Sequence, residues 1–178
     1  MKRISVLTGV SSLIAAMALT ACAGPQTGAP VASAQLAATK GNAASGMVNF
    51  TPLGNKVLVT AEVSGLKPNS EHGFHVHEKG DCSSGDGMSA GGHFNPGGVP
   101  HGHYGQAPRH AGDMPNLKAD ANGKAVYRFE TELISVTPGA ANNVIGRAVV
   151  VHASPDDYAS QPAGNAGARM ACGVVKQL

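Results

Sequence analysis

The sequence predicts an all-β domain of strands joined by loops, and three observations carry that expectation. Glycine supplies 24 of the 178 residues, tryptophan is absent and 13% of residues are charged, a composition unlike that of a helical bundle. Short apolar and β-branched runs recur between clusters of Gly, Pro, Asn and Asp. No stretch carries the apolar period of an amphipathic helix, and no internal repeat is present. The length suits one domain plus an appendage.

The appendage is N-terminal. Residues 1–21 read as a signal peptide: Lys2 and Arg3 give a basic start, and Val6 to Leu19 is a mostly apolar run too short to span a bilayer comfortably. Leu19-Thr-Ala-Cys22 resembles the lipobox of bacterial lipoproteins. That implies a lipid on Cys22 and residence in the periplasm or cell envelope. Ala23 is not the aspartate linked to inner-membrane retention, which favours the outer membrane. An ordinary cleaved signal with a chance cysteine is the alternative. Three cysteines in an exported protein leave one unpaired, which favours the lipid. Several acyl chains on one residue give stable anchoring. Residues 22–33, rich in Ala, Gly, Pro and Thr, read as a flexible tether, and residues 34–178 as the domain. Without Lys2 and Arg3 the 13 basic residues become 11, equal to the 11 acidic ones. The mature chain is formally neutral and has no basic stripe, which argues against nucleic acid as a partner.

Within the domain, residues 34–40 form a weak first strand. Met47–Thr51 and Lys56–Val63 are strand-like, and Pro52 with Gly54-Asn55 between them predicts a hairpin. Gly65–Ser70 is turn chemistry ahead of a strand over Gly73–His77. Asn122-Gly123 predicts a two-residue hairpin leading into Lys124–Glu130. Ile145–His152 and Ala171–Lys176 are the last apolar strands. Residues 78–113 and 153–168 are too long for plain connections. Loops of that length are functional or disordered, and the four histidines and four acidic residues of the first favour function.

Eight histidines are the unusual feature of the composition. His75 and His77 are two apart on a strand, so their imidazoles share one face and can reach one ion. The long loop adds His93, His101, His110 and Asp113, and His152 ends the run Val149-Val-Val-His152. Six histidines and a carboxylate exceed the needs of one metal ion. Imidazole suits both copper and zinc, and a carboxylate oxygen is an ordinary zinc ligand.

Five motifs then agree with one family. Gly73-Phe-His-Val-His-Glu78, Gly91-Gly-His-Phe-Asn-Pro96, Arg109-His-Ala-Gly-Asp113, Gly146-Arg-Ala-Val-Val-Val-His152 and Gly164-Asn-Ala-Gly-Ala-Arg-Met-Ala-Cys-Gly173 resemble the copper,zinc superoxide dismutases. The likeness runs over nearly all of residues 34–178, in the family's order and spacing. It implies a Greek-key β-sandwich or flattened barrel of about eight antiparallel strands. It implies copper on His75, His77, His93 and His152, and zinc on His93, His101, His110 and Asp113, one ion of each per subunit. His93 would bridge the two ions and carry a proton during turnover. The implied activity is dismutation of superoxide to dioxygen and hydrogen peroxide.

The same resemblance implies roles for further residues. Arg169 would attract and orient superoxide. Asp156 would link His75 to His101 from behind and hold both rings. Cys82 and Cys172 would form the family's disulfide. His72 would be structural and His103 a solvent-exposed loop residue, while Phe94, Tyr127 and Phe129 read as packing residues. Residues 153–168 lack the lysines that many members use for steering, so Arg169, the metals or a group such as Lys79 must supply the field. The expected partners are superoxide as substrate and a membrane reached only through Cys22, with a homodimer and a monomer both compatible. A metal reservoir on the same sandwich is the competing reading. Loss of a copper ligand or of Arg169 would favour it, and neither is lost.

Overall fold

The computed structural model describes Met1 and residues 28–178. The expected signal peptide, apart from Met1, and Cys22, the expected lipid site, lie outside the described residues. Among the described residues ten strands follow one another: β1 Ala32–Ala38, β2 Ser45–Leu53, β3 Lys56–Ser64, β4 Glu71–His72, β5 Phe74–His77, β6 Leu117–Lys118, β7 Ala125–Thr131, β8 Ala148–His152, β9 Arg169–Val174 and β10 Lys176–Gln177. A single 3₁₀ turn, Met88–Ala90, interrupts the first long loop.

All strand pairings between these elements are antiparallel, in the order β5-β8-β9-β1-β2-β3-β7. β1–β2, β2–β3 and β8–β9 are neighbours both in sequence and in that path; β9–β1, β5–β8 and β3–β7 are long-range pairings of the Greek-key kind. The path turns at β1. Its first half pairs with β2 and β10, and its last residues, Ala37 and Ala38, pair with Cys172 and Ala171 of β9. The sheet curls over a core that includes Phe50, Phe74, Val48, Val59, Val63, Val76, Val149 and Val151. Phe74 meets Tyr127 edge to face at 5.0 Å, a favoured aromatic geometry. As expected, Phe94 and Tyr127 are buried and Phe129 packs on the same core.

The Gly54-Asn55 hairpin forms between β2 and β3, in register from Ser45 with Ser64 to Leu53 with Lys56. The Asn122-Gly123 hairpin does not. A tight turn exists there, closed by Asp120, whose Oδ1 accepts the N–H groups of Asn122 and Lys124. Its flanking strands part at once: β6 pairs with β4, and β7 pairs with β3. The turn chemistry was local, and the long-range pairing overrode the ladder it suggested. The first strand begins at Ala32, inside the segment assigned to the tether, because Val31 and Ala32 bond the Phe50 and Gln177 region.

Strand parity positions the site. On β5, Phe74 and Val76 enter the core while His75 and His77 face away; on β8, Val149 and Val151 enter it. Ala148 and Val150 pack on the opposite face against Ala90, Cys172 and Cys82. That opposite face is covered by the two long loops. The Cys82–Cys172 disulfide fastens the first loop to β9 across 90 residues of sequence. Replacing both cysteines by serine is expected to cost about 4–5 kcal/mol on the loop-entropy model. Guanidinium denaturation of the double variant against the oxidised protein checks this.

Candidate metal centre

Each ligand side chain reaches the centre for a local reason. His75 and His77 arrive by the parity of β5, and His152 by continuing the Ala148–Val150 face of β8. The loop returns His93 and Asp113 beside β5 through isolated bridges, His77 to His93 and His75 to Asp113. Gly112 makes that return possible: a Cβ there would collide with the Val76 carbonyl. All seven residues are buried.

The structure brings them into two groups. One ligand atom each from His75, His77, His93 and His152 lies within 4.8 Å of the others, and so do atoms from His93, His101, His110 and Asp113. His93 belongs to both. Hydrogen bonds on the outer side of the rings decide which nitrogens face inward. His75 Nε2 donates to Asp156 Oδ2 at 2.8 Å and His101 Nε2 to Asp156 Oδ1 at 3.0 Å. His77 Nδ1 donates to the Gly91 carbonyl at 2.9 Å, and His152 Nδ1 to that of Gly167 at 3.2 Å. A neutral ring that donates at one nitrogen has a bare lone pair at the other.

Those lone pairs test whether a metal fits. His75 Nδ1, His93 Nε2, His101 Nδ1 and His110 Nδ1 are buried without a hydrogen-bond partner. His77 Nε2 and His152 Nε2 face each other at 3.3 Å, two lone pairs that repel unless a proton or cation lies between them. His101 Nδ1 and His110 Nδ1 lie 3.1 and 3.3 Å from the Asp113 carboxylate, out of line for a hydrogen bond. Apart from His93 Nδ1, which donates to Asp113 Oδ1 at 2.8 Å, these atoms gather round common points without hydrogen-bonding one another, the arrangement of a coordination site. Four nitrogens suit copper, and three nitrogens with one oxygen make a closed set for zinc.

The surroundings hold this arrangement. Asp156 is buried beneath both groups and also accepts the Tyr158 N–H at 2.7 Å. Gly164 passes so close, at φ +65°, that a Cβ would strike Asp156 Oδ1. Gln161 grips the His101 backbone from both sides, its amide oxygen accepting the N–H at 3.0 Å and its Nε2 donating to the carbonyl at 2.9 Å. The sequence reading missed Gln161 because a polar residue in a loop carries no signal of its partner. His72, buried, donates from Nδ1 to the His152 carbonyl, a framework role as expected. His103 corrects its expectation: it is half-buried, stacked on Tyr104 at 4.2 Å and edge-on to Tyr158 at 4.9 Å. Its apolar ring faces recruit the neighbouring tyrosines, so the loop folds over it.

Arg169 stands over the opening. The pairing of β8 with β9 slips between Val151 and His152, setting His152 opposite Arg169 and skipping Met170. Such a bulge re-aims a side chain, here turning the arginine to the metal face. Its guanidinium donates to the carbonyls of Gly87 at 2.8 Å and Gly91 at 2.6 Å. It lines one cavity with His77, His93 and His152. Among the described residues Arg169 is the cation of that lining, whereas Lys79 is exposed and does not contribute to it. The rim from residues 153–168 is uncharged, supplied by Gln161, Pro162, Ala163 and Asn165.

Electrostatics agree with the geometry. Burial pushes His93 down to about 4 and His152 down to about 3, with the neighbouring His75 adding to both. Burial also lowers His75 and His77. Burial opposes charge on His101 as well, but Asp113 and Asp156 outweigh it and raise the ring to about 9, so without metal its Nδ1 carries a proton near neutral pH, which a metal ion would displace. Both carboxylates resist the effect of burial and lie below the usual range, held there chiefly by His101. Without metal, stability must therefore fall with pH. Below the ordinary value of 6.5 the unfolded chain binds protons that the folded His93 and His152 refuse until about 4 and 3. The His101 contribution is complete below 6.5, so it offsets nothing there. The two aspartates lose theirs only at still lower pH. The urea midpoint of metal-free protein is expected to drop between about pH 6.5 and pH 4, and a flat profile would contradict buried neutral rings.

Comparisons with known proteins point the same way. Residues 44–175 match the family model described as copper/zinc superoxide dismutase. A copper-zinc superoxide dismutase of Aquifex aeolicus is 40% identical over 148 residues, covering 82% of this chain and 86% of its own. One from Deinococcus radiodurans is 37% identical over 184 aligned positions, covering 97% of each. The crystal structure of a SOD-like protein from Bacillus subtilis superposes with a TM-score of 0.73 at 35% identity, over 80% of this chain and 96% of the other. With two ligand sets meeting at His93 inside that shared fold, the chain belongs to the copper/zinc superoxide dismutase family.

Proposed function

We propose that this chain dismutates superoxide to dioxygen and hydrogen peroxide at a copper ion beside a structural zinc ion. Copper would be held by His75 Nδ1 and by Nε2 of His77, His93 and His152. Zinc would be held by Nδ1 of His93, His101 and His110 with an Asp113 oxygen. The observation that carries this reading is the pair of ligand sets sharing His93, one of them open to a cavity beneath Arg169. When bound, copper supplies one-electron chemistry, so that one superoxide is oxidised and the next reduced.

The protein's own residues do the rest. Arg169 attracts the anion and orients it, its guanidinium already fixed by two carbonyls. Half-burial keeps that charge effective, because fewer waters screen it. His93 Nε2 has no partner within the protein and sits at the cavity floor, where it can hold a proton and return it to the leaving product. Asp156 keeps the His75 and His101 rings in the tautomers that point lone pairs inward. Zinc, as a closed site, would hold His93 in position and keep Asp113 ionised.

The decisive measurement pairs superoxide consumption with copper and zinc content on one sample. Metal-loaded protein is expected to hold one of each ion and to be active, and His152→Ala to lose activity with its copper while keeping zinc. Copper-replete protein no more active than free copper would leave a metal reservoir in place of an enzyme.

The same proposal extends to place. Export and a lipid on Cys22 are supported by Leu19-Thr-Ala-Cys22 and by the disulfide, which takes two of the three cysteines and leaves Cys22 over. Mass spectrometry of the mature N-terminus should find a diacylated Cys22. An unmodified terminus beyond residue 22 contradicts the anchor and leaves the dismutase reading intact.

A further inference from the structure

The cavity beneath Arg169, of about 440 Å³, has to serve two opposite visitors. In turnover it admits an anion. On first assembly, by the copper reading above on which this inference rests, it admits a cation past a fixed guanidinium. A carboxylate at the rim would help the cation and repel the anion. A neutral, soft donor would help one without hindering the other.

Met88 is such a donor. Met88 lines this cavity together with His77, His93, His152 and Arg169, and it is 59% exposed. The other polar rim side chains offer only hard amide oxygens. Both amide atoms of Gln161 bond the His101 backbone, and Asn165, whose amide nitrogen donates to Asp157 and Ser160, has an oxygen that suits hard cations and not Cu(I). The thioether is therefore the soft ligand at the mouth. Its backbone is pinned while its sulfur is not. The Met88 N–H donates to Asp86 Oδ1 at 3.0 Å, its carbonyl accepts from Gly91, and Arg169 holds the Gly87 and Gly91 carbonyls on either side. An unbranched side chain with three rotatable bonds can then swing between rim and interior.

We propose that Met88 is a docking ligand for incoming cuprous copper. Thioether sulfur selects Cu(I) over Cu(II) and zinc. The ion lands on Met88 Sδ and passes to the lone pairs of His77 Nε2 and His152 Nε2, which face each other at 3.3 Å on the cavity side. His75 does not line the cavity and closes the set last. Coordination bonds exchange, copper stays Cu(I) throughout and no electron moves; with zinc on His93 Nδ1, the proton on its Nε2 leaves to solvent as copper takes that nitrogen. The four histidines complete the final site, so sulfur is absent from it.

The test uses the full mature chain loaded with zinc and free of copper. Cu(I) is presented as its bicinchoninate complex, and loss of the complex's colour gives the uptake rate. Met88→Leu is expected to slow uptake at least threefold, with final copper per chain unchanged and Cu(II) uptake unchanged. Met47→Leu, which alters an exposed methionine outside this cavity, should behave as wild type. In a methionine-methyl NMR spectrum, one equivalent of Ag(I), a redox-silent stand-in for Cu(I), should shift the Met88 signal and leave that of Met47. Equal Cu(I) uptake by wild type and Met88→Leu, or an unmoved Met88 signal, would overturn the proposal. Failure of the copper reading looks different: wild type itself would then retain no copper.

Discussion

Burying six imidazoles and two carboxylates in one region is the constraint on which the rest of the fold depends. Each ring loses its water, and burial, with repulsion from neighbouring rings, drives His75, His77, His93 and His152 toward the neutral form. Neutral rings offer lone pairs, and lone pairs pointed at one another repel. The chain must therefore hold them by force from outside: by the Asp156 carboxylate, by the carbonyls of Gly91 and Gly167, and by Gln161 on the His101 backbone. The disulfide and the tightly packed glycines serve the same end, since they bring loop backbone close enough for those bonds to form. Desolvated charge is costly unless paired, so the one strongly basic ring, His101, lies between the two acids.

Much of this was legible in the chain. The His75-Val-His77 spacing already put two rings on one face, because strand parity is a local property. The buried run of β8 was equally readable, and it carries His152 to that same face. Motif spacing located the loop ligands without saying how the loop returns. That depended on the Gly112 contact with Val76, a tertiary fact.

What was not legible has a common cause. The bulge that skips Met170 arises from a mismatch between β8 and β9, and neither strand alone records it. The Asn122-Gly123 turn obeyed its chemistry, but its strands found other partners because β3 offered β7 a seven-residue ladder. His103 looked exposed because, although Tyr104 is its chain neighbour, Tyr158 reaches it from the second long loop. Side-chain clamps such as Gln161 join loops some sixty positions apart, and only folding introduces them.

One oxygen atom links the opening to its floor. The Gly91 carbonyl accepts both from His77 Nδ1 and from the Arg169 guanidinium. A chemist wishing to widen the mouth by shortening the arginine would also loosen the tether of a ring inside. Conversely, any tilt of that ring is felt at the charged lid. Selectivity and assembly thus share a hinge, and neither can be redesigned without accounting for the other.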